Sequence, residues 1–182
     1  VILNKPIGYV SSTPEDNHPH ALTLVRPENQ WLKKISATTK NRIQSVQDLK
    51  GLAPAGRLDI DSQGLIVYTQ DGRLAKQLIG AESDLEKEYI VRVEGRVSAE
   101  TLQTLRFGLE LDGKALKRAD VHQRDRGLLV FILKEGRKRQ IRRMCEAVGL
   151  KVTFLKRIRI GRLHLGDLPT GQWLILENPR LL

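Results

Sequence analysis

The chain has 182 residues, enough for one domain or for one domain divided into two lobes around a real core. Aromatics make up only 4% of it against an ordinary 40% of hydrophobic residues, so aliphatic side chains do most of the filling, and the net charge of +10 favours a polyanionic partner. No apolar run approaches the roughly 18 to 20 residues of a membrane span, there is no charged, apolar and small-residue succession of a signal peptide, and the single Cys145 cannot form an internal disulfide. The chain opens on Val1-Ile2-Leu3 without Met, and the expectation is an excised cytoplasmic domain that acts as a monomer.

In chain order, residues 1 to 12 read as strand, turn, strand: Val1-Ile2-Leu3, then Asn4 to Gly8, then Tyr9-Val10-Ser11. Residues 28 to 50, rich in Lys, Ser, Thr, Asn and Gln, read as a long surface excursion that is partly helical. Leu65 to Thr69 is strand-like, and Asp71 is placed to cap a short helix carrying Leu74, Leu78 and Ile79 inward. In Glu88 to Glu94 the residues Tyr89, Val91 and Val93 share one face while Arg92 and Glu94 point away, the pattern of a half-buried strand. Ser98 is a cap for a helix with Leu102 and Leu105 on its inner side, stopped near Gly108.

The wholly apolar run Leu128 to Leu133 predicts a central strand. Ile141, Met144, Cys145 and Val148 follow at helical spacing, with Gly149 as the stop, and they make Cys145 a buried small hydrophobe. Lys151 to Leu155, Arg162 to Leu165 and Trp173 to Leu176 complete the strands. Strands outnumber helices without alternating strictly with them, so the fold class is α+β, a mixed and mainly antiparallel sheet with flanking helices.

The charge is local. Residues 134 to 162 hold eleven basic and two acidic residues, +9 in 29 positions, and seven of the eleven are Arg. Such a patch suits planar contacts to phosphates, with a merely solvated basic surface as the plain alternative. The four histidines are scattered, His18-Pro19-His20 reads as a polar loop, and one Cys cannot complete a zinc set, so no metal site is expected. Phosphate-cradling glycine motifs are missing as well, and no cofactor is expected. The chemistry then falls to acid, base or nucleophile side chains. Asp59 stands out, because Gly56 and Gly64 bracket it in a turn-prone segment leading into a strand, where a scaffold can present a side chain. The same pattern also fits an Asp that only fixes its own turn through side-chain hydrogen bonds.

Gly56-Arg57-Leu58-Asp59, continuing through Ser62-Gln63-Gly64-Leu65 to Thr69-Gln70-Asp71-Gly72, resembles the signature of RNA pseudouridine synthases of the RsuA type, which modify ribosomal RNA. Three further motifs follow in the family's order: Leu3-Asn4-Lys5-Pro6 with Gly8, Lys87-Glu88-Tyr89, and Glu135 through Met144. Ser62 to Ile66 and Arg143-Met144-Cys145-Glu146 look most like members acting on the large-subunit RNA. Gln70 stands where Asn is usual, and the S4-like module that commonly precedes Leu3 is not among these residues.

The resemblance implies a fold of two lobes around a basic cleft spanning residues 1 to 182. It implies a cofactor-free isomerisation of uridine to pseudouridine in ribosomal RNA, 23S rRNA by the closer likeness. It assigns Asp59 as the catalytic carboxylate, acting as nucleophile or as base at the sugar, with Arg142 as its ionic partner and Tyr89 stacked on the uracil. Arg57 would help extract the base from its stack. Lys5, Arg137, Lys138 and Arg139 would contact RNA phosphates. By residue pattern alone Tyr89 is a core aromatic with a polar tip, and Arg142 is one more phosphate contact on a basic helix. Two other functions fit parts of the pattern. A non-catalytic RNA-binding module of ribosome assembly needs only the basic patch, and a nucleoside hydrolase would need a second carboxylate that no spacing suggests.

Overall fold

In the computed structural model, residues 1–11, 17–32, 49–80 and 83–176 are described. The elements in chain order are β1 (Ile2–Lys5), β2 (Ala53–Pro54), β3 (Gln63–Thr69), α1 (Gly72–Ile79), β4 (Lys87–Glu94), α2 (Ala99–Arg106), β5 (Glu110–Leu111) and β6 (Lys114–Ala115). There follow β7 (Asp120–Asp125), β8 (Leu128–Leu133), α3 (Gln140–Ala147), β9 (Lys151–Ile160), β10 (Leu163–His164) and β11 (Trp173–Leu174). Single 3-10 turns occupy Ala21–Leu24 and Pro27–Asn29. The fold class is α+β with a mixed, mainly antiparallel sheet: the strand pairs named below are antiparallel, and the isolated bridges Val10 to His20 and Gln30 to Trp173 are parallel. The chain divides into two compact units, residues 1–83 with 162–182, and residues 84–161.

In the first unit β1 lies between β11 and β3, and β2 pairs with β3. β1 is buried along its whole length, Lys5 included. It continues through Asn4-Lys5, where the sequence had suggested a turn, because three hydrogen bonds hold Asn4: its amide donates to the Gln172 carbonyl at 3.0 Å, its carbonyl accepts from Gly171 at 2.8 Å, and its Nδ2 donates to the Leu168 carbonyl at 2.7 Å. A second strand at Tyr9 to Ser11 does not form, and Val10 makes a single bridge to His20 instead. His20 leaves the loop role expected of it, since its Nδ1 accepts from the Leu22 amide at 3.0 Å and caps the turn that follows.

The core gathers Leu3, Ala21, Val25, Leu49, Ile66, Tyr68 and Trp173, and the Trp173 indole donates to the Arg26 carbonyl at 2.7 Å. Asp71 caps α1 as expected, its Oδ1 accepting from the Arg73 amide at 2.8 Å. Leu78 is buried, but Ile79 is exposed, because the next residue along a helix lies about 100° around its axis and so falls off the inward-facing side. Of the surface excursion over 28 to 50, residues 33 to 48 lie outside the described residues.

In the second unit the sheet runs β9-β4-β8-β7, with β8 central as its apolar run predicts and β5-β6 forming a separate hairpin. β4 buries Tyr89, Val91 and Val93, as the alternation requires. Ser98 Oγ caps α2 by accepting from the Thr101 amide at 3.1 Å. α3 buries Ile141, Met144 and Cys145, and Gly149, at φ 75°, ends the turn behind it.

Burial pushes the Cys145 thiol up to about 12, against a smaller opposing pull from the Arg142 cation. In the native protein at pH 8, Cys145 should therefore resist alkylation by iodoacetamide and react stoichiometrically once denatured. Mass spectrometry of the two samples checks this, and rapid native labelling would place the thiol at the surface.

Candidate active site

Asp59 sits between β2 and β3, and backbone chemistry holds that segment in place. Ser11 Oγ donates to the Leu58 carbonyl at 2.6 Å and accepts from the Leu58 amide at 2.9 Å, both in buried surroundings. On the other side of the carboxylate the Gly8 amide donates to the Ile60 carbonyl at 2.8 Å, and the Ser62 amide closes a turn on the Asp59 carbonyl at 3.0 Å. Gly56 and Gly64 stand at φ 109° and 114°, a region that side chains with a Cβ rarely adopt, which is why glycines bracket the loop. The residues flanking Asp59 are thus pinned to the segment after β1. Its own carboxylate is half-exposed and forms no hydrogen bond or ion pair among the described residues. Backbone atoms close the turn, so the side chain is not what fixes it. The loop leaves it open to one side, as a segment that presents a side chain requires. Arg57, two positions earlier, is exposed.

Lys5 is the clearest correction in this unit. Its side chain is 0% exposed, and its Nζ donates to the carbonyls of Pro6 at 2.9 Å and Tyr9 at 2.8 Å. A surface contact to phosphate is not the place the structure gives it. The ammonium instead organises the bend that carries Gly8 and Ser11 to the Asp59 loop, with carbonyl oxygens compensating its burial.

In the second unit Tyr89, 8% exposed, lies on β4 opposite Phe131 of β8 and Arg157 of β9. Its phenol makes no hydrogen bond among the described residues. Arg142, half-buried on α3, donates through Nη1 to the Val152 carbonyl at 3.4 Å among its contacts. Val152 is in register with Val93, four residues along β4 from Tyr89 and about 13 Å away at strand spacing. Tyr89 and Arg142 belong to this unit and Asp59 to the other.

The basic run before α3 separates into wiring and surface. Glu135 Oε1 accepts from the Lys117 amide at 3.0 Å and from Gln140 Nε2 at 2.9 Å, and its Oε2 lies 3.4 Å from Arg137 Nε. Gln140, buried, also accepts the Arg137 amide at 2.9 Å. Arg137 then donates to three carbonyls of the β5-β6 hairpin: Leu111 at 3.1 Å, Lys114 at 3.0 Å and Ala115 at 2.8 Å. Its fork is filled internally, which corrects the expectation of a phosphate contact. Arg143 holds the hairpin tip through Asp112 at 2.9 and 2.6 Å, and that hydrogen-bonded guanidinium draws the Asp112 carboxyl below its usual range. Lys138 and Arg139 remain exposed, Arg139 in the left-handed region at φ 52°. Sequence reasoning missed Ser11, Glu135 and Gln140. Only the last two carried a signal, a carboxylate and an amide five residues apart around a glycine.

Among the described residues no cluster of three His, Cys, Asp or Glu side chains could hold a metal ion, and no helix is long and apolar enough to cross a membrane.

Residues 1–147 match the family model described as RNA pseudouridylate synthase. The chain is 34% identical over 182 residues to a dual-specificity RNA pseudouridine synthase RluF of Salmonella typhi, covering 100% of this chain and 56% of the relative. It is 34% identical over 172 residues to a ribosomal large subunit pseudouridine synthase B of Yersinia pestis, covering 90% and 54%. A crystal structure of a pseudouridylate synthase superposes with a TM-score of 0.79 at 26% identity, covering 99% of this chain and 70% of that one. The chain thus spans a little over half the length of these curated relatives.

Three substitutions separate wiring from surface. Ser11→Ala leaves the Leu58 amide and carbonyl buried without their partner and should cost about 1–3 kcal/mol in urea unfolding, with faster amide exchange at Leu58. Arg137→Ala should lower stability and loosen the β5-β6 hairpin while leaving the salt dependence of RNA binding unchanged. Lys138→Ala should do the reverse, lowering the log-log salt slope by about 0.7 to 0.9. Filter binding and urea melts of both variants separate the two roles.

Proposed function

The chain belongs to the RNA pseudouridylate synthase family, and from that membership we propose that it isomerises uridine to pseudouridine in ribosomal RNA, with 23S rRNA in the cytoplasm as its substrate and a single copy of the chain as the working unit. The reaction breaks the N1–C1′ bond, turns the uracil and forms the C5–C1′ bond, while the proton on C5 leaves and N1 ends protonated. Atoms and electrons balance within the nucleoside, so what the protein must supply is a carboxylate, a proton acceptor, and a place for a base drawn out of its stack.

The observation that carries the reading is the Asp59 loop. The carboxylate is half-exposed and unbonded among the described residues, while Leu58 and Ile60 on either side are fixed by Ser11 and Gly8. A rigid mount under an open reactive group is what positioning catalysis needs. In this reading Asp59 attacks the nucleoside or takes a proton at the sugar. Tyr89 lends an aromatic face to the uracil, and Arg57, exposed beside the loop, takes the space the base vacates. The part of Arg142, a cation that keeps the carboxylate ionised, rests on the family motif, and so do the phosphate contacts of Lys138 and Arg139. A non-catalytic RNA-binding module would have no use for a carboxylate mounted in this way.

Asp59→Ala and Asp59→Asn should abolish pseudouridine formation on unmodified 23S rRNA transcripts while the melting temperature stays within a few degrees. Pseudouridine mapping after single-turnover incubation is the measurement. An Asn variant with more than a trace of product would remove Asp59 from the chemistry.

A further inference from the structure

Among the described residues Phe107 is the most exposed large hydrophobic side chain, at 65%, and the only aromatic one left so far in water. A phenyl ring in that position forgoes the stabilisation that burial would bring. Its one cationic neighbour is Arg118, whose guanidinium carbon lies 5.3 Å from the ring centroid. Arg118 is exposed too, and its guanidinium has no carboxylate or carbonyl partner among the described residues. The contact with the ring leaves its N–H donors free, and at 65% exposure much of the ring stays open to a further stacking partner.

Both side chains stand on a braced frame. Phe107 ends α2, its amide donating to the Gln103 carbonyl at 3.2 Å. The chain then runs antiparallel to residues 116–119, with the Ala119 amide donating to the Arg106 carbonyl at 3.0 Å and the Leu116 amide to the Leu109 carbonyl at 2.9 Å. This ladder sets Phe107 across from Arg118 and leads into the β5-β6 hairpin, which Arg137 grips through three carbonyls. Glu135 holds the Lys117 amide beside Arg118 at 3.0 Å, and Arg106 Nε donates to the Val121 carbonyl at 2.7 Å. Of the nearby carboxylates, Asp84 lies 3.6 Å from Lys117 and Asp112 is bound by Arg143, while Glu110 stands further along, opposite Ala115. Residues 84–161 carry nineteen basic against eleven acidic side chains, so the surroundings favour a polyanion. Tyr89 pairs with Phe131 and Phe131 with Val121, which puts Tyr89 two strand spacings, about 10 Å, from the strand that holds Arg106.

We propose that Phe107 and Arg118 form a stacking platform for an unpaired base of the RNA, a different one from the base that Tyr89 receives, with Arg118 also meeting a backbone phosphate. A ring and a guanidinium plane both stack on any base, and the free cation supplies the charge that the backbone requires. This rests on the synthase reading for the identity of the RNA, and its test separates the two. The chain and its Phe107→Ala, Phe107→Leu, Phe107→Trp and Arg118→Gln variants are titrated against unmodified 23S rRNA transcript at a series of salt concentrations. Melting temperatures, sedimentation and pseudouridine yield are measured in parallel. Phe107→Ala and Phe107→Leu should bind about tenfold more weakly with an unchanged log-log salt slope, because stacking releases no counterions, and Phe107→Trp should bind at least as tightly as the wild type. Arg118→Gln should lower the slope by about 0.7. Two variants without a ring guard against one that folds poorly. A wild type that forms pseudouridine, with folded Ala and Leu variants of unchanged affinity, overturns the platform and leaves the synthase reading standing. The tenfold loss with no pseudouridine from the wild type overturns the synthase reading and supports the platform. Self-association of the wild type that is lost in Phe107→Ala, with RNA affinity unchanged, gives the ring to a second copy of the chain and overturns the platform. No RNA binding by the wild type overturns both.

Discussion

One hydroxyl, Ser11 Oγ, makes the Asp59 loop a fixed object. By donating to and accepting from the same residue, Leu58, it occupies both backbone groups that the loop would otherwise turn to water. That geometry depends on where Ser11 stands, which in turn depends on the bend after β1. The bend is held by the buried Lys5 ammonium on the Pro6 and Tyr9 carbonyls. β1 is locked in register between β3 and β11, with Asn4 bonded to the 168–172 segment. The opening motif and the Asp59 motif, more than fifty residues apart, are therefore one mechanical assembly: the first supplies the mount and the second the carboxylate that it holds.

In the second unit the same logic runs through Glu135. A single carboxylate receives an amide from Lys117, an amide from Gln140 and the Nε of Arg137, and this sets the turn from which α3 departs. Arg137 and Arg143 then reach away from the helix to the β5-β6 hairpin. Much of the concentrated positive charge of residues 134 to 162 is thus internal structure. Arg137, Arg143 and Arg159 are held by protein acceptors, whereas Lys134, Lys138 and Arg139 stay on the surface. A charge count over a window measures an electrostatic field, but it cannot say which guanidinium faces a partner and which faces a carbonyl.

That distinction explains what was legible in the sequence. β4 and α3 were readable because burial of one face leaves a period, two for the strand and 3.6 for the helix, that survives in the order of residues, and β8 was readable because a central strand is apolar along its whole length. The caps at Asp71 and Ser98 were readable because the bond is local. β5 and β6, two residues each, are too short to show a period, and β7 buries only Val121 in an otherwise polar run, so nothing marked it as a strand. Lys5 was misread for the opposite reason. Its residue type predicts exposure, and the carbonyls that make its burial tolerable come from chain geometry. Asp59 was legible as a position through its bracketing glycines and the family motif, but its mount was not, since no local pattern links Ser11 to Leu58.

The β4-β9 pair shows how far such reasoning reaches once the register is known. Alternation alone would put Lys87 and Tyr89 on one face and Glu88 on the other, and the Glu88 to Arg159 bond agrees. Strict alternation along β9, however, would put Arg157 and Arg159 together on one face. The bulge at Ile158 breaks that rule, sending Arg159 to the carboxylates and Arg157 to the tyrosine. One extra residue in a strand thus sends two identical side chains to opposite faces, Arg159 to an ion pair that closes the strand end and Arg157 to the face that carries Tyr89. Only the two-dimensional register of the sheet carries that information, and no window of the sequence separates Arg157 from Arg159.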